Sequence, residues 1–452
     1  MKNLVISLLC LSTSLSFSQT WNTVGGGIEL VGGQVAGMIV HNDKLWVVGP
    51  FNKIANSTIP SMGKAQWDSL NWIPDTNIFA NGYPYTIGIH DNEVYIGGTF
   101  RNINGNNSCR RIAKWDGSQW LPLGKGITDG HRINVLQSYN GDLYVGGPFL
   151  EVDDTIPAKR IARWDGSQWH AMGTGFWGGF GLVQAMAVFN GELYVGGNFL
   201  SIDGVAANSI CKWNGTTWSA LGTGINGFVT SFTVDTINNI LYIGGQFNLA
   251  DTVNIPTGVA AWNGTSFSAV GTTPFLSPVT MCMYQNKLWV GGAQYNITNN
   301  LGDSINEVAW FNGTEWMPAS FQSDHSEVEA LVVYKNELYM EGGFDTLNNI
   351  VVHQIAKTYT PSLNTNNITD APDAVTVTPN PADNKIEIKI LQPYVKAIYW
   401  RMVNNAGKEI KHGKILLQQF TVDTQKLPEG VYFLEIFDGD NILKKEKIVI
   451  MH

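Results

Sequence analysis

The chain has 452 residues, of which 44% are hydrophobic, 11% aromatic and 14% charged, with 49 Gly and a formal net charge of −9. An ordinary globular chain carries about 25% charged residues, so this one has matter for a large core, too little charge for a disordered chain, and the wrong sign for non-specific nucleic-acid binding. At about 100–200 residues per domain, the length allows two to four domains, or one large repeat domain with an appendage.

Lys2 precedes an apolar run over residues 4–11 and a Ser/Thr-rich stretch ending at Ser18. That pattern predicts a signal peptide over residues 1–18, cleaved before Gln19. The run is too short to span a bilayer. Cys10 would suit a lipid anchor, but Leu9 stands before it, where such signals need a small residue. No later apolar stretch reaches the ~18 residues of a span, so no membrane crossing is expected. Cys109, Cys211 and Cys282 are odd in number, show no metal spacing and fall at different points of the repeat described next. No disulfide framework and no metal or cofactor site is expected.

Leu143-Tyr144-Val145-Gly146-Gly147-Pro148-Phe149 recurs, in strict or looser form, from residues 45, 94, 143, 193, 241, 288 and 338, at steps of 47 to 50. A second block, Trp115-Asp116-Gly117-Ser118-Gln119-Trp120, recurs from residues 164, 213, 262 and 311, with a weaker copy at 67–72. Leu-Gly-x-Gly follows, as at 123–126 and 221–224. One unit reads as four strands: 133–139, then Asn140-Gly141 as a type I′ hairpin turn, 143–149, a loop, 161–164, then Asp165-Gly166 as a second type I′ turn, and a fourth strand opened by Trp169. Four antiparallel strands per unit is a propeller blade. The last unit, with strands at 328–334, 338–344 and 353–359, lacks its fourth strand, and that strand stands alone at Trp21-Asn22-Thr23-Val24-Gly25-Gly26-Gly27. The expected fold is all-β: a seven-bladed β-propeller over residues 19–360, closed by its N-terminal strand so that no free edge is left. The second Gly of each pair (49, 98, 147, 197, 245, 292, 342) marks close backbone approach. In the two units flanking the seam, Val48 and Glu341 replace the first. Tyr95, Tyr144, Tyr194, Tyr242 and Tyr339, with Trp115, Trp164, Trp213 and Trp262, are read as packing between blades.

The Gly-Gly pair, the Tyr before it and the later Trp resemble the kelch-type propeller. The full run is also similar to the propeller repeats of fungal cortical cell-polarity marker proteins. The resemblance spans residues 21–359. It implies a fold, and leaves open a binding scaffold or an enzyme.

Residues 361–374, rich in Ser, Thr, Asn, Asp and Pro, read as a linker. In residues 375–452 Lys and Arg become denser, and strands are suggested at 385–390, 398–403, 420–423, 430–437 and 445–450, which would form a small Ig-like β-sandwich. Pro379-Asn380-Pro381-Ala382 opens this module, and Gly430-Val431-Tyr432 begins a strand followed by a basic terminal strand. The module resembles the type A sorting domain of the type IX secretion system. That resemblance implies the secretion machinery as a partner, passage across both membranes, and release or attachment at the cell surface.

Catalytic patterns are sparse. His41, His90, His131, His170, His325, His353, His412 and His452 form no His-x-His or His-Glu-x-x-His spacing, and there is no nucleophile elbow or P-loop. The sialidase Asp-box needs a residue between Asp and Gly that 116–117 and 165–166 lack, and Arg101, Arg110, Arg111, Arg132, Arg160 and Arg163 are spread over two blades. The tight turns should share one face, so recognition is assigned to the long connections on the other. There, Trp177 and Phe180 in a Gly-rich loop, and Tyr83 and Tyr85 entering the second blade, are the candidate ligand-binding residues. Trp177 could stack on a sugar ring. Asp303, Glu307, Asp324 and Glu327 add negative potential. Asp-Ser/Thr-aliphatic triplets at Asp68, Asp154, Asp235, Asp251, Asp303 and Asp345 resemble the O-glycosylation sequon of bacteria using this secretion route. The expected function is a secreted or surface-displayed scaffold that binds protein or glycan without catalysis. The alternatives are a polysaccharide-acting enzyme of sialidase, lyase or oxidase type, and a structural adhesin.

Overall fold

The computed structural model describes residues 21–30, 37–56, 58–129, 131–273, 277–292, 297–319, 323, 327–348, 350–358, 375–379, 381–390, 398–404, 409–415, 419–438 and 441–452. Segment 1–18 with Cys10, linker 361–374, and Asp324, His325 and Asn380 lie outside them. The chain divides into two compact units, Met1–Thr360 and Pro361–His452. Among the described residues all regular structure is β-strand, and no helix is long and apolar enough to cross a membrane.

The first unit holds seven four-stranded antiparallel sheets among its described residues. The third is typical: Val135–Tyr139, Asp142–Gly146, Ile161–Trp164 and Trp169–Ala171, paired in that order. Val328–Tyr334, Glu337–Gly342 and Ile355–Thr358 take their fourth strand from Trp21–Thr23, with Trp21 opposite Thr358. The Trp21 indole N–H donates to the Ala319 carbonyl, 3.3 Å away. Each sheet's first strand lies against the next sheet's first strand, and Val328–Tyr334 lies against Gly37–His41.

Local chemistry explains the turns and corrects one of them. Asn140 (φ 50°) and Gly141 (φ 82°) are both left-handed, the requirement of a type I′ turn. At the second hairpin only Gly166 is left-handed (φ 94°), the pattern of type II′, so Asp165-Gly166 does not form the type I′ turn expected from sequence. Asp165 precedes the turn, and its carboxylate accepts the backbone N–H groups of Ser167 and Gln168 at 2.8 Å each. A short acceptor side chain can do this before a glycine, which is why Asp and Asn alternate there.

The glycine pair has two separate causes. A Cβ on Gly197 would lie 1.9 Å from the Leu182 carbonyl oxygen of its own sheet, whereas one on Gly146 would lie 2.4 Å from Val183 of the next sheet. The first strand bulges opposite the pair, as between Val183 and Ala185. The bulged residues Tyr85, Gln184, Thr230, Val279 and Glu329 occupy equivalent positions. Some stitch sheets together: Thr230 Oγ1 donates to the Pro278 carbonyl at 2.6 Å, and Asn134 Nδ2 donates to Gln184 Oε1 at 2.7 Å.

The aromatic set read from sequence forms part of the interior, among many buried Val, Ile and Leu side chains. Tyr95, Tyr144, Tyr194, Tyr339, Trp164 and Trp262 are buried, while Tyr242, Trp115 and Trp213 are half-buried. The Trp262 indole N–H donates to the Tyr194 hydroxyl at 3.2 Å, which links the fourth and fifth sheets.

The long connections are more ordered than the sequence reading allowed. They carry short strands of their own, which pair the stretch after one sheet's last strand with a hairpin of the next: Phe79–Ala80 with Asn102–Ile103, and Phe176–Trp177 with Ser201–Ile202. Single bridges do the same at Ile127–Val152 and Ile225–Ala250. Asp153, Asp203 and Asp251 each accept the N–H of Lys125, Thr174 and Thr223 within the preceding Leu/Met-Gly-x-Gly turn, at 2.7, 2.9 and 3.0 Å.

In the second unit, Val375–Thr378, Lys385–Ile390 and Gln419–Asp423 form one antiparallel sheet; Glu409–Ile415, Ile398–Asn404, Gly430–Asp438 and Asn441–Ile450 form another. Ile386, Ile388 and Val422 of the first share a core with Met402, Leu434, Ile436 and Ile448 of the second. The sequence reading lacked Val375–Thr378, which adjoins the polar linker, and Glu409–Ile415, whose Lys411-His412-Gly413-Lys414 run breaks the alternation that marks a strand.

Candidate functional site

Trp177 was expected in a flexible loop, but it lies in a strand: Phe176–Trp177 pairs with Ser201–Ile202. Phe176 is buried and anchors the strand; Trp177 stays 48% exposed. Strand alternation sends successive side chains to opposite faces, so one aromatic goes into the core and the next to solvent. The Lys159 ammonium sits 3.6 Å from the Trp177 ring centroid and covers one face of the indole. Phe180 is 73% exposed. Asn198 Oδ1 accepts its backbone N–H at 2.7 Å, and its ring stacks on Phe228 at 5.7 Å and 26°. Leu200, 57% exposed, donates its N–H to the Trp177 carbonyl at 2.8 Å. These contacts hold an apolar ridge of three exposed side chains, Trp177, Leu200 and Phe180, on hydrogen-bonded backbone.

A cleft of about 320 Å³ adjoins that ridge, lined by Asn226, Gly245, Gln246, Phe247, Asn248, Gly258 and Ser277. Gln246 is opposite Phe228 in the ladder, so the stacked pair stands one strand across from a residue that lines the cleft. Asn226 fixes its floor: its Oδ1 accepts the N–H groups of Asn248 and Leu249 at 3.1 and 3.0 Å, and its Nδ2 donates to Asn248 Oδ1 at 2.7 Å. No signal in the repeat marks this cleft, although Gln246 stands where the fourth sheet has Asn198 and the third has Pro148.

Tyr83 and Tyr85 are placed elsewhere, at the start of the second sheet, and no hydrogen bond or ring contact joins them to Trp177 or Phe180 among the described residues. Tyr83 is half-buried and its carbonyl accepts from Thr99 N–H at 3.0 Å. Tyr85 is not a loop residue but the bulged residue of Pro84–His90, with the Arg132 guanidinium 5.9 Å from its ring centroid.

Among the acidic residues, Glu307 is buried and accepts from Ser323 Oγ at 2.8 Å. The Glu329 carboxyl, which sequence reading missed, is pushed up to about 7 by burial and by the adjacent Glu327. Among the described residues no group of three or more His, Cys, Asp or Glu is placed to hold a metal ion. Burial raises the thiol pKa of Cys109 to about 11 and that of Cys282 to about 12, and raises that of Cys211 as well.

In the second unit the opening and closing motifs meet. Ala382 is buried; its N–H donates to the Val449 carbonyl at 2.7 Å, and its carbonyl accepts from Met451 N–H at 2.9 Å. Pro379 and Pro381 are exposed. Gly430 opens its strand, and Tyr432 is buried with its hydroxyl donating to the Pro428 carbonyl at 2.9 Å.

Residues 376–451 match the family described as the secretion system C-terminal sorting domain. Residues 176–338 match the Rax2 C-terminal beta propeller domain. None of the curated proteins compared matches the chain. Among solved structures, the chain is similar to PorZ, a surface component of the type IX secretion system of Porphyromonas gingivalis, at 12% identity and a TM-score of 0.27, covering 93% of this chain and 76% of that one. It is also similar to the extracellular domain of a putative hybrid two-component system of B. thetaiotaomicron, at 10% identity and a TM-score of 0.32, covering 92% and 67%.

The class of protein is therefore a β-propeller bearing a type IX sorting domain. Such a tail engages the secretion machinery, and the protein is secreted or attached at the outer-membrane surface.

Proposed function

We propose that the first unit is a seven-bladed, kelch-like propeller closed by Trp21–Thr23, followed by an Ig-like sorting module. In this reading the propeller is a non-catalytic scaffold at the cell surface that binds protein or glycan through the face carrying the connections between blades. The observation that carries it is the exposed Trp177 and Phe180, held on hydrogen-bonded backbone beside an open cleft. Rigid exposed aromatics suit binding, because little conformational entropy is lost when they are covered. The test is capture of ligand from the extracellular milieu by the mature protein and by the W177A/F180A double variant. Loss of capture with an unchanged melting midpoint is expected. Equal capture by both proteins would remove the ridge from the function.

The second reading, an enzyme, is favoured by Glu329, because a carboxyl held near neutral pH beside another is what proton transfer requires. Hydrolysis of a polysaccharide by the wild type and not by E329Q would establish that reading in place of the first.

A further inference from the structure

We infer that the cleft beside Phe180 and Phe228 is a subsite for an uncharged glycan. This inference rests on the binding reading above. It starts from the cleft's chemistry. Apart from Phe247 its lining is amide, hydroxyl and backbone, with no charged side chain. Asn226 is consumed in fixing the floor, because both its oxygen and its amide nitrogen are hydrogen-bonded within the protein. Gln246 is not. In the fourth sheet the corresponding amide oxygen, Asn198 Oδ1, is spent on the Phe180 N–H; among the described residues nothing pairs with the Gln246 amide, and its side chain is exposed at the cleft. Asn248 spends its Oδ1 on Asn226 and leaves its amide N–H groups available. A primary amide offers two donors and an acceptor in one plane. That set matches vicinal hydroxyls, which both donate and accept, and it offers nothing to neutralise a carboxylate or sulfate.

The second component is the stacked pair. Phe228 covers one face of Phe180, and the 73% exposure of Phe180 leaves the rest of its ring open. The C–H face of a pyranose ring is the apolar surface that fits such a platform, while its hydroxyl edge turns to the amides. The volume of about 320 Å³ lies at the small end of ligand sites, about 300–1,000 Å³, and suits one or two sugar rings rather than a protein epitope. A protein partner would need roughly 800 Å² of its own surface covered. The Leu200–Trp177 side of the ridge then meets the next sugar units of the chain.

The test is affinity electrophoresis of the full mature protein through gels containing a neutral polysaccharide (laminarin, mannan, xylan or dextran) or an anionic one (alginate or polygalacturonate). Retardation by at least one neutral polymer is expected, unchanged between low and high salt because no ion pair contributes. Gln246→Ala and Phe180→Ala should each weaken it by roughly five- to twentyfold, the scale of one lost hydrogen bond or ring contact. Ile237→Ser, at an exposed hairpin turn between the first two strands of the fifth sheet, should leave it unchanged. Retardation by anionic polymers alone, binding that falls with salt, binding indifferent to Gln246 and Phe180, or no retardation at all would each overturn the inference. The binding reading is judged separately: if the W177A/F180A variant loses extracellular capture while every gel is blank, the scaffold stands and the glycan falls.

Discussion

The first sheet contains a buried ion pair at a position that is aliphatic in the other six sheets. Lys64 opens the third strand at the position taken elsewhere by Ile112, Ile161, Ile210, Val259, Val308 and Ile355. Its ammonium lies 2.9 Å from Asp75 Oδ2, with only 4% and 3% of the two side chains exposed. It also sits 4.7, 4.2 and 5.2 Å from the rings of Trp46, Trp115 and Trp120, bridging the first and second sheets. Burial lowers the Lys64 pKa, and Asp75 opposes that shift. At an effective dielectric of about 20, the Coulomb attraction across such a gap is about 6 kcal/mol, and the desolvation of two ions offsets most of it. Removing one partner strands the other charge at a cost of about 3–5 kcal/mol, whereas replacing both with apolar or neutral groups is close to neutral. Asp75→Asn keeps the acceptor for Asn77 N–H (2.9 Å) and removes only the charge. The variant should therefore lose about 3–5 kcal/mol in urea unfolding followed by tryptophan fluorescence at pH 7. Part of the loss should return as pH rises toward 10, because an unpaired Lys64 is neutral in the fold at lower pH than in the unfolded chain. Lys64→Ile combined with Asp75→Asn should be more stable than Asp75→Asn alone. A coupling below about 1 kcal/mol in the double-mutant cycle would refute the argument.

Three further outcomes are expected. Gly197→Ala drives a Cβ against the Leu182 carbonyl oxygen, so it should cost at least about 2 kcal/mol and lower the melting midpoint; an unchanged midpoint would mean the strands are not held as described. Glu329→Gln should act through pH. The folded protein holds a proton on Glu329 that the unfolded chain gives up between 4.5 and about 7, so wild-type stability falls as pH rises across that window and the deficit persists above it. The variant should melt higher than wild type at pH 8 and alongside it at pH 4.5, and parallel curves would count against the buried acid pair. Deletion of residues 376–451 should abolish surface protease sensitivity and leave the protein in the periplasm, as read by cell fractionation.

The repeat made the fold legible because each of its residues has a structural task that recurs. Asn140-Gly141 supplies two left-handed residues, Gly197 and Gly245 admit a bulged neighbour, and Trp164 and Tyr144 fill the same space in successive copies. What escaped depends on partners far away in sequence. The short strands in the connections are two residues long, too short for any alternation to register, and they exist only because a hairpin of the next sheet offers a backbone edge, as Ser201–Ile202 does for Trp177. The distinction between Asp165 and Asn140 turns lies in where one carboxylate finds N–H groups, not in residue type alone.

Departures from the repeat are where the chain carries individuality. Lys64 replaces an aliphatic residue and comes with its own counter-ion and a three-tryptophan cage. Glu329 stands at the bulge position taken by Gln184, Thr230 and Val279 in earlier sheets, and comes with a second acid. Phe180 lengthens the connection before the fourth sheet and takes up the Asn198 amide oxygen, whereas the Gln246 oxygen at the same position stays open to the cleft. A repeat constrained by packing cannot hold seven copies of a ligand site, because the same side chains close the gaps between sheets. Recognition must therefore use residues the repeat does not require. The ridge from Trp177 to Phe180 and the cleft beside it meet that condition, whereas Tyr85 does not, since its backbone position is required by the bulge in every sheet where it recurs.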